Sequence, residues 1–192
     1  IQALASGSHV VMVGASWIYV NAQTSVMFAA LLYLYLRHNS SFYFVRNMFL
    51  IAMLIALVGY SVYPTAPPRL MPQWGFVDPI QQATHLNLEG GTSSIFLNAY
   101  AAVPSMHVCF AMMIGLPMSR LVRHRVLRNL WRAYPLLMVF VVIVTANHYF
   151  TDVILGALTA AAAAQLSERL LARARPDVWA FAERGAAQSA SA

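Results

Sequence analysis

An α-helix needs roughly twenty apolar residues to cross the hydrocarbon core of a bilayer, and this chain is built almost entirely from runs of that kind. They lie near Trp17–Leu36, Asn47–Tyr63, Val103–Leu121, Tyr134–Ala146 and Tyr149–Leu171. Of the 192 residues 60% are hydrophobic and only 9% charged, a balance that excludes a soluble globular domain. The predicted fold is an all-α, polytopic transmembrane helix bundle with five helices in this chain. The fourth reads short, and its junction with the fifth can fall anywhere from Ala146 to Thr151. Because the chain starts at Ile1 and not at Met, a further N-terminal piece with another membrane helix is expected upstream.

The stretch from Pro64 to Ala102 breaks the pattern. Pro64, Pro67, Pro68, Pro72 and Pro79, followed by Gly90-Gly91-Thr92-Ser93-Ser94, rule out a single helix there. It reads as a long extramembrane connection, and loops of this length inside a compact domain are usually functional. Its apolar residues Trp74, Phe76, Ile95, Phe96 and Tyr100 suggest that parts of it rest in the membrane interface. Residues 1–183 are expected to form one membrane-embedded domain, and 184–192, rich in Ala, Ser and Gly, a disordered tail.

Arginines set the orientation. Arg37 and Arg46 flank the first connection, Arg120, Arg123, Arg125, Arg128 and Arg132 fill the third, and Arg169, Arg173, Arg175 and Arg184 follow the last helix. The second connection holds Arg69 alone. Alternate loops are thus basic, which by the positive-inside rule puts Ile1, the Pro64–Ala102 connection and the Ala146–His148 junction outside and the C-terminus inside. The expected setting is a bacterial-type plasma membrane with the functional face outward. All 12 basic side chains are arginine and the formal charge is +6, yet they fall in short clusters between apolar runs, not in one patch interleaved with aromatics. No nucleic-acid partner is expected. The single cysteine, Cys109, cannot form an intramolecular disulfide, so helix packing must hold the fold.

Three polar clusters then fall level with one another at the outward face: Pro67-Pro68-Arg69, Pro104-Ser105-Met106-His107 and Asn147-His148-Tyr149-Phe150-Thr151-Asp152. His148 and Asp152, four residues apart on a helix, would share one face. The carboxylate can then accept from one ring nitrogen of His148 and leave the other as a nucleophile or base; the plainer alternative is that Asp152 only caps or pairs within the bundle. A carboxylate in a membrane helix is costly and usually functional. His107, at a helix start where free N–H groups favour a phosphate oxygen, can protonate a leaving alkoxide, or else is an interfacial histidine bonded to a carbonyl. Ser105 is either a phosphate ligand, through its hydroxyl or amide, or a helix cap. Arg69 offers planar, bidentate donors to a phosphate, or else snorkels as an anchor at a helix end. His9, His38, His85 and His124 lack such company and read as surface or interfacial residues.

Taken as a set, Pro64-Thr65-Ala66-Pro67-Pro68-Arg69, Pro104-Ser105-Met106-His107 and His148-Tyr149-Phe150-Thr151-Asp152 followed by Gly156 resemble the type 2 phosphatidic acid phosphatase superfamily. The resemblance spans about Arg46 to Gly156 and is closest to the inositolphosphotransferase branch, which includes inositol phosphorylceramide synthases. It implies a six-helix, acid phosphatase/vanadium haloperoxidase-like membrane bundle acting on a lipid phosphate. By that resemblance His148 attacks phosphorus and becomes a phosphohistidine, Asp152 holds it, His107 protonates the departing group, and Arg69 with Ser105 binds the phosphate oxygens. No metal and no other cofactor is implied. The superfamily's phosphatases carry a lysine where this chain has Val62, a glycine where it has Met106, and a Ser-Arg pair where it has Val141 and Val142. Two phosphate-binding cations thus lack a counterpart, which moves the resemblance toward the transferase branch. Two other readings stay open from the residues alone: a divalent metal held by His107, His148 and Asp152, and a catalytically silent scaffold or transporter.

Overall fold

The structure, a computed structural model, describes residues 1–80 and 101–171. Among them all regular structure is helical, apart from one parallel bridge between Thr65 and Ala101. A short α1 (Gln2–Ala5) precedes a continuous rod made of α2 (His9–Trp17), a π-helical turn (Ile18–Ala22) and α3 (Gln23–Arg37). After one residue α4 (Asn39–Val62) runs back. Two single 3-10 turns, Pro68–Leu70 and Pro72–Trp74, begin the long connection. The chain re-enters the bundle as α5 (Met106–Leu121), followed by α6 (Arg125–Val144) and α7 (Phe150–Gln165), which a π-helical turn (Leu166–Leu171) prolongs.

Four of these rods, His9–Arg37, Asn39–Val62, Arg125–Val144 and Phe150–Arg169, are long and apolar enough to span a membrane, at 29, 24, 20 and 20 residues. At about 1.5 Å rise per residue even the shortest reaches about 30 Å, the hydrocarbon thickness. Their outer faces carry exposed apolar side chains, such as Leu50, Leu54 and Leu57 on α4, Leu136 and Phe140 on α6, and Ile154 and Leu158 on α7. Such surface would be a liability in water and is the expected face toward lipid. The fifth rod, α5, has only 16 residues. It can be short because it is central: it packs against α3, α4, α6 and α7, and Cys109, Met113, Ile114, Met118 and Leu121 on it join Leu34, Val45, Met48, Ala52 and Ala163 in the main core. Close approach of its neighbours depends on missing side chains. A Cβ on Gly115 would lie 2.6 Å from the Trp131 carbonyl oxygen of α6.

The predicted helices are all present, with corrected bounds. The first begins at His9, eight residues before the expected Trp17, and α4 begins at Asn39, which places Arg46 inside a helix. The largest correction concerns α6, expected to begin at Tyr134. It starts at Arg125, so Arg125, Arg128 and Arg132 sit on a helix and not in a loop. Spaced three and four apart they form a stripe, and long arginine stems let such a turn continue past the apolar core into the interface. Hydropathy alone hides that extension. Of the residues expected at the interface, Trp74 is exposed and Phe76 half-buried. The expected interfacial Ile95, Phe96 and Tyr100, the Gly90–Ser94 segment, His85 and the 184–192 tail lie outside the described residues.

The connectivity gives the bundle two unlike ends. One gathers the α3–α4 and α5–α6 links and the end of α7, with Arg37, Arg120, Arg123, Arg125 and Arg169; the other gathers the end of α4, the starts of α5 and α7, and the α6–α7 turn.

Candidate active site

At the second end two helix N-termini are locked together. The amide of Ser105, which precedes α5, donates to the Asp152 carbonyl in the first turn of α7 at 3.0 Å. Gly156, one turn on, permits the approach, since a Cβ there would run into the Ser105 carbonyl oxygen. Helix N-termini present unsatisfied N–H groups and a positive dipole end, a setting that favours an anion.

His148 stands just ahead of α7, not on it, so the expected i,i+4 helical face is corrected. Tyr149 is the N-cap, and Asp152 folds back to accept from the Tyr149 amide at 2.8 Å and from the Thr151 hydroxyl at 3.1 Å. Asp152 therefore does cap the helix. The same carboxylate still lies 3.5 Å from His148 Nδ1, but the shorter partner of that nitrogen is the Ala102 carbonyl at 2.9 Å. A carbonyl can only accept, so this bond requires the proton on Nδ1 and makes Nε2 the lone-pair nitrogen. Ala102 is held in place next to the Thr65–Ala101 bridge, where the two ends of the long connection meet. Partial desolvation, and after it the charge of Asp152, push the Tyr149 phenol above its ordinary range.

The turn that delivers His148 is a helix C-terminus of the Schellman kind. The Ala146 amide donates to the Ile143 carbonyl at 3.1 Å and the Asn147 amide to that of Val142 at 3.0 Å. Ala146 takes the left-handed conformation, with φ 52°, where glycine would be unstrained and an L-residue costs on the order of 1–2 kcal/mol.

Arg69 is buried, 9% exposed, so the snorkelling alternative is set aside. Its amide donates to the Ala146 carbonyl at 2.8 Å, Nε to Asn147 Oδ1 at 3.1 Å, and Nη1 to Asp78 Oδ2 at 3.0 Å. Asn147 is itself fixed through Nδ2 to Thr145 Oγ1 at 2.9 Å. The guanidinium is thus bound to the residue next to His148.

His107, in the first turn of α5, lies 6.0 Å from His148 between ring centroids, and its other neighbour is Tyr19, stacked on it at 4.1 Å with 19° between planes. Tyr19 sits in the π-helical turn of the first rod. Ser105 is fully buried. It occupies the N-cap position yet makes no side-chain cap bond, and its Oγ has no hydrogen-bond partner among the described residues. The plain cap reading therefore fails, and so does a ligand role for its amide, which Asp152 already engages.

His148, Asp152, His107, Arg69 and Ser105 are thus brought to one end of the bundle. Among the described residues no three His, Cys, Asp or Glu side chains are arranged to hold a metal ion, and the set His107, His148 and Asp152 is not such an arrangement. Sequence reasoning missed Asp78, whose Asp-Pro context reads as a turn or helix start. Indeed its Oδ1 accepts from the Ile80 amide at 3.0 Å. It missed Tyr19 as well, because one tyrosine in an apolar run carries no signal of where a π turn will point it.

An all-helical membrane protein with two histidines, a carboxylate and a buried arginine gathered at one end of its bundle is the class these features define. Within it the chain belongs to the PAP2 superfamily, whose family model matches residues 1–166. Neither curated proteins nor solved structures give a significant match. Membership makes this a membrane-associated enzyme of the phosphatase and phosphotransferase kind. At Val141 and Val142, where the superfamily's phosphatases carry their Ser-Arg pair, the side chains are buried in apolar packing with Met138, Ala111, Val108 and Val153.

Proposed function

We propose that the protein transfers a phosphoryl-containing group from a lipid phosphate through a phosphohistidine on His148, at the extracytoplasmic face of a bacterial-type plasma membrane, and that it belongs with the inositolphosphotransferase-like enzymes. The observation that carries the reading is the Nδ1 bond of His148 to the Ala102 carbonyl, 2.9 Å long, which makes Nε2 a nucleophile. In the first half-reaction the Nε2 lone pair forms a bond to phosphorus and the bond from phosphorus to the leaving oxygen breaks. His107 gives that oxygen a proton; an anion bound beside it favours the imidazolium form. Asp152, 3.5 Å from Nδ1, offsets the positive charge that builds on the His148 ring. In the second half-reaction water or an acceptor alcohol gives its proton to His107 and attacks phosphorus. The N–P bond breaks and His148 is restored. Arg69, with the Ser105 hydroxyl, receives the phosphate oxygens.

The transferase assignment rests on the apolar residues at positions 62, 141 and 142, which leave few cations for a phosphate that carries full charge. The orientation rests on the arginine bias between the two ends of the bundle.

Protein in lipid nanodiscs, offered phosphatidic acid, a polyprenyl diphosphate or phosphatidylinositol with and without ceramide, tests this directly. New phospholipid without free phosphate, lost in His148→Ala and unaffected by EDTA, is the expected result. Free phosphate would make the protein a phosphatase. Turnover that survives His148→Ala would refute the phosphohistidine, and loss in EDTA would return the metal alternative.

A further inference from the structure

Among the described residues every arginine except one lies toward the basic end of the bundle. Between Arg46 and Arg120 the sequence has only Arg69, and before Arg37 and between Arg132 and Arg169 it has none. Among the described residues the site end therefore carries a single guanidinium, and that group is shared: Asp78 Oδ2 lies 3.0 Å from Arg69 Nη1, with the side chains 17% and 6% exposed. Asp152, at the start of α7 on the same end, adds a second carboxylate, already engaged by an amide and a hydroxyl. Leaving the two imidazoles aside, the charged side chains of the described site are one guanidinium and two carboxylates.

A phosphomonoester carries about −1.5 to −2 charges near neutral pH, whereas a phosphodiester carries one. The remaining donors at the site carry no fixed charge: the Ser105 hydroxyl, the start of α5 and the two imidazoles, of which His107 holds the proton that is handed to the leaving oxygen. Shielding from water makes each added charge count for more than it would in solution. Resting on the phosphate site proposed above, we infer that Asp78 is a specificity-determining residue: by neutralising Arg69 it admits a singly charged phosphodiester group and disfavours a doubly charged phosphomonoester. Asp78 touches neither reacting atom. It acts through Arg69 and through its own field.

The test reads binding and needs no turnover. Protein in uncharged nanodiscs is titrated with a long-chain alkyl phosphonate and with its monomethyl ester, at a pH where the first carries two charges and the second one, for wild type, Asp78→Asn and Asp78→Glu. Asparagine keeps an oxygen for Arg69 Nη1 and removes the charge; glutamate keeps the charge. Wild type should prefer the ester. The ester-to-phosphonate affinity ratio should fall about tenfold in Asp78→Asn, the size expected for one partly screened charge, and stay near wild type in Asp78→Glu. An unchanged ratio in Asp78→Asn, with both probes weakened alike, would show that Asp78 only holds Arg69 in place and would overturn the proposal. Tighter binding of the phosphonate by wild type would overturn it without any variant. Since turnover and its dependence on His148 are read separately, either reading can fail while the other stands.

Discussion

The two ends of this bundle use charge in opposite ways. At the basic end Arg123, Arg125 and Arg132 are exposed, spread along loops and the first turns of α6, where each needs only water or lipid headgroups as a partner. At the other end Arg69, His148 and Asp152 are buried; Arg69 and His148 are tied to specified atoms of other segments, and Asp152 to the start of its own helix. Many exposed charges orient a membrane protein cheaply because none depends on another. A buried charge is tolerated only when its neighbours are fixed, so the site end is costly to build and intolerant of change.

Substituting one arginine at each end should make that contrast measurable. Arg69→Ala leaves Asp78 without its cation and Asn147 without a donor, and should lower stability by roughly 3 kcal/mol and turnover by at least about a hundredfold. Arg132→Ala, exposed on α6, should change neither in thermal-unfolding and turnover assays on the same preparation. Equal effects at the two positions would erase the distinction between the ends.

A smaller effect sharpens the picture within the site. A capping serine replaced by alanine usually costs about 1 kcal/mol. Ser105 makes no cap bond and its buried hydroxyl has no described partner, so Ser105→Ala should leave the unfolding midpoint unchanged or slightly raised, while kcat/KM falls about tenfold through the lost phosphate contact. A drop in stability with full activity would mean that the hydroxyl serves the fold. Smallest of all, Ala146→Gly removes the left-handed alanine and should raise stability by up to about 1 kcal/mol, read as a higher midpoint. A lower midpoint would mean that the turn gains more from a stiff residue than it loses to strain.

Ala146 also shows why the sequence was partly opaque. Helix ends are legible when glycine marks the left-handed position, and here an alanine fills it, so the junction between the last two helices could not be located closer than Ala146–Thr151. The start of α6 was hidden for a different reason, because Arg125, Arg128 and Arg132 look like a loop to a hydropathy reading and like a snorkelling turn once the helix is seen. Apolar runs were enough for the remaining rods, since in lipid the runs themselves are the structural constraint. Among site residues, those in short polar clusters at helix ends were visible. What the clusters could not reveal was tertiary: that His148 Nδ1 would find the Ala102 carbonyl before Asp152, that Asp78 would take a face of Arg69, and that a π-helical turn would lay Tyr19 on His107.

If His148 carries the phosphoryl group between the two half-reactions, that adduct can be trapped. Protein in nanodiscs is mixed with the lipid donor that it turns over, quenched in alkali within the first turnovers, digested and analysed by mass spectrometry. An acid-labile, alkali-stable phosphoramidate, with or without the esterified headgroup, is expected on the peptide carrying His148, absent in His148→Ala and longer-lived when the acceptor is withheld. An adduct on His107 or on any other residue, or steady turnover with His148 unmodified at every quench time, would contradict it.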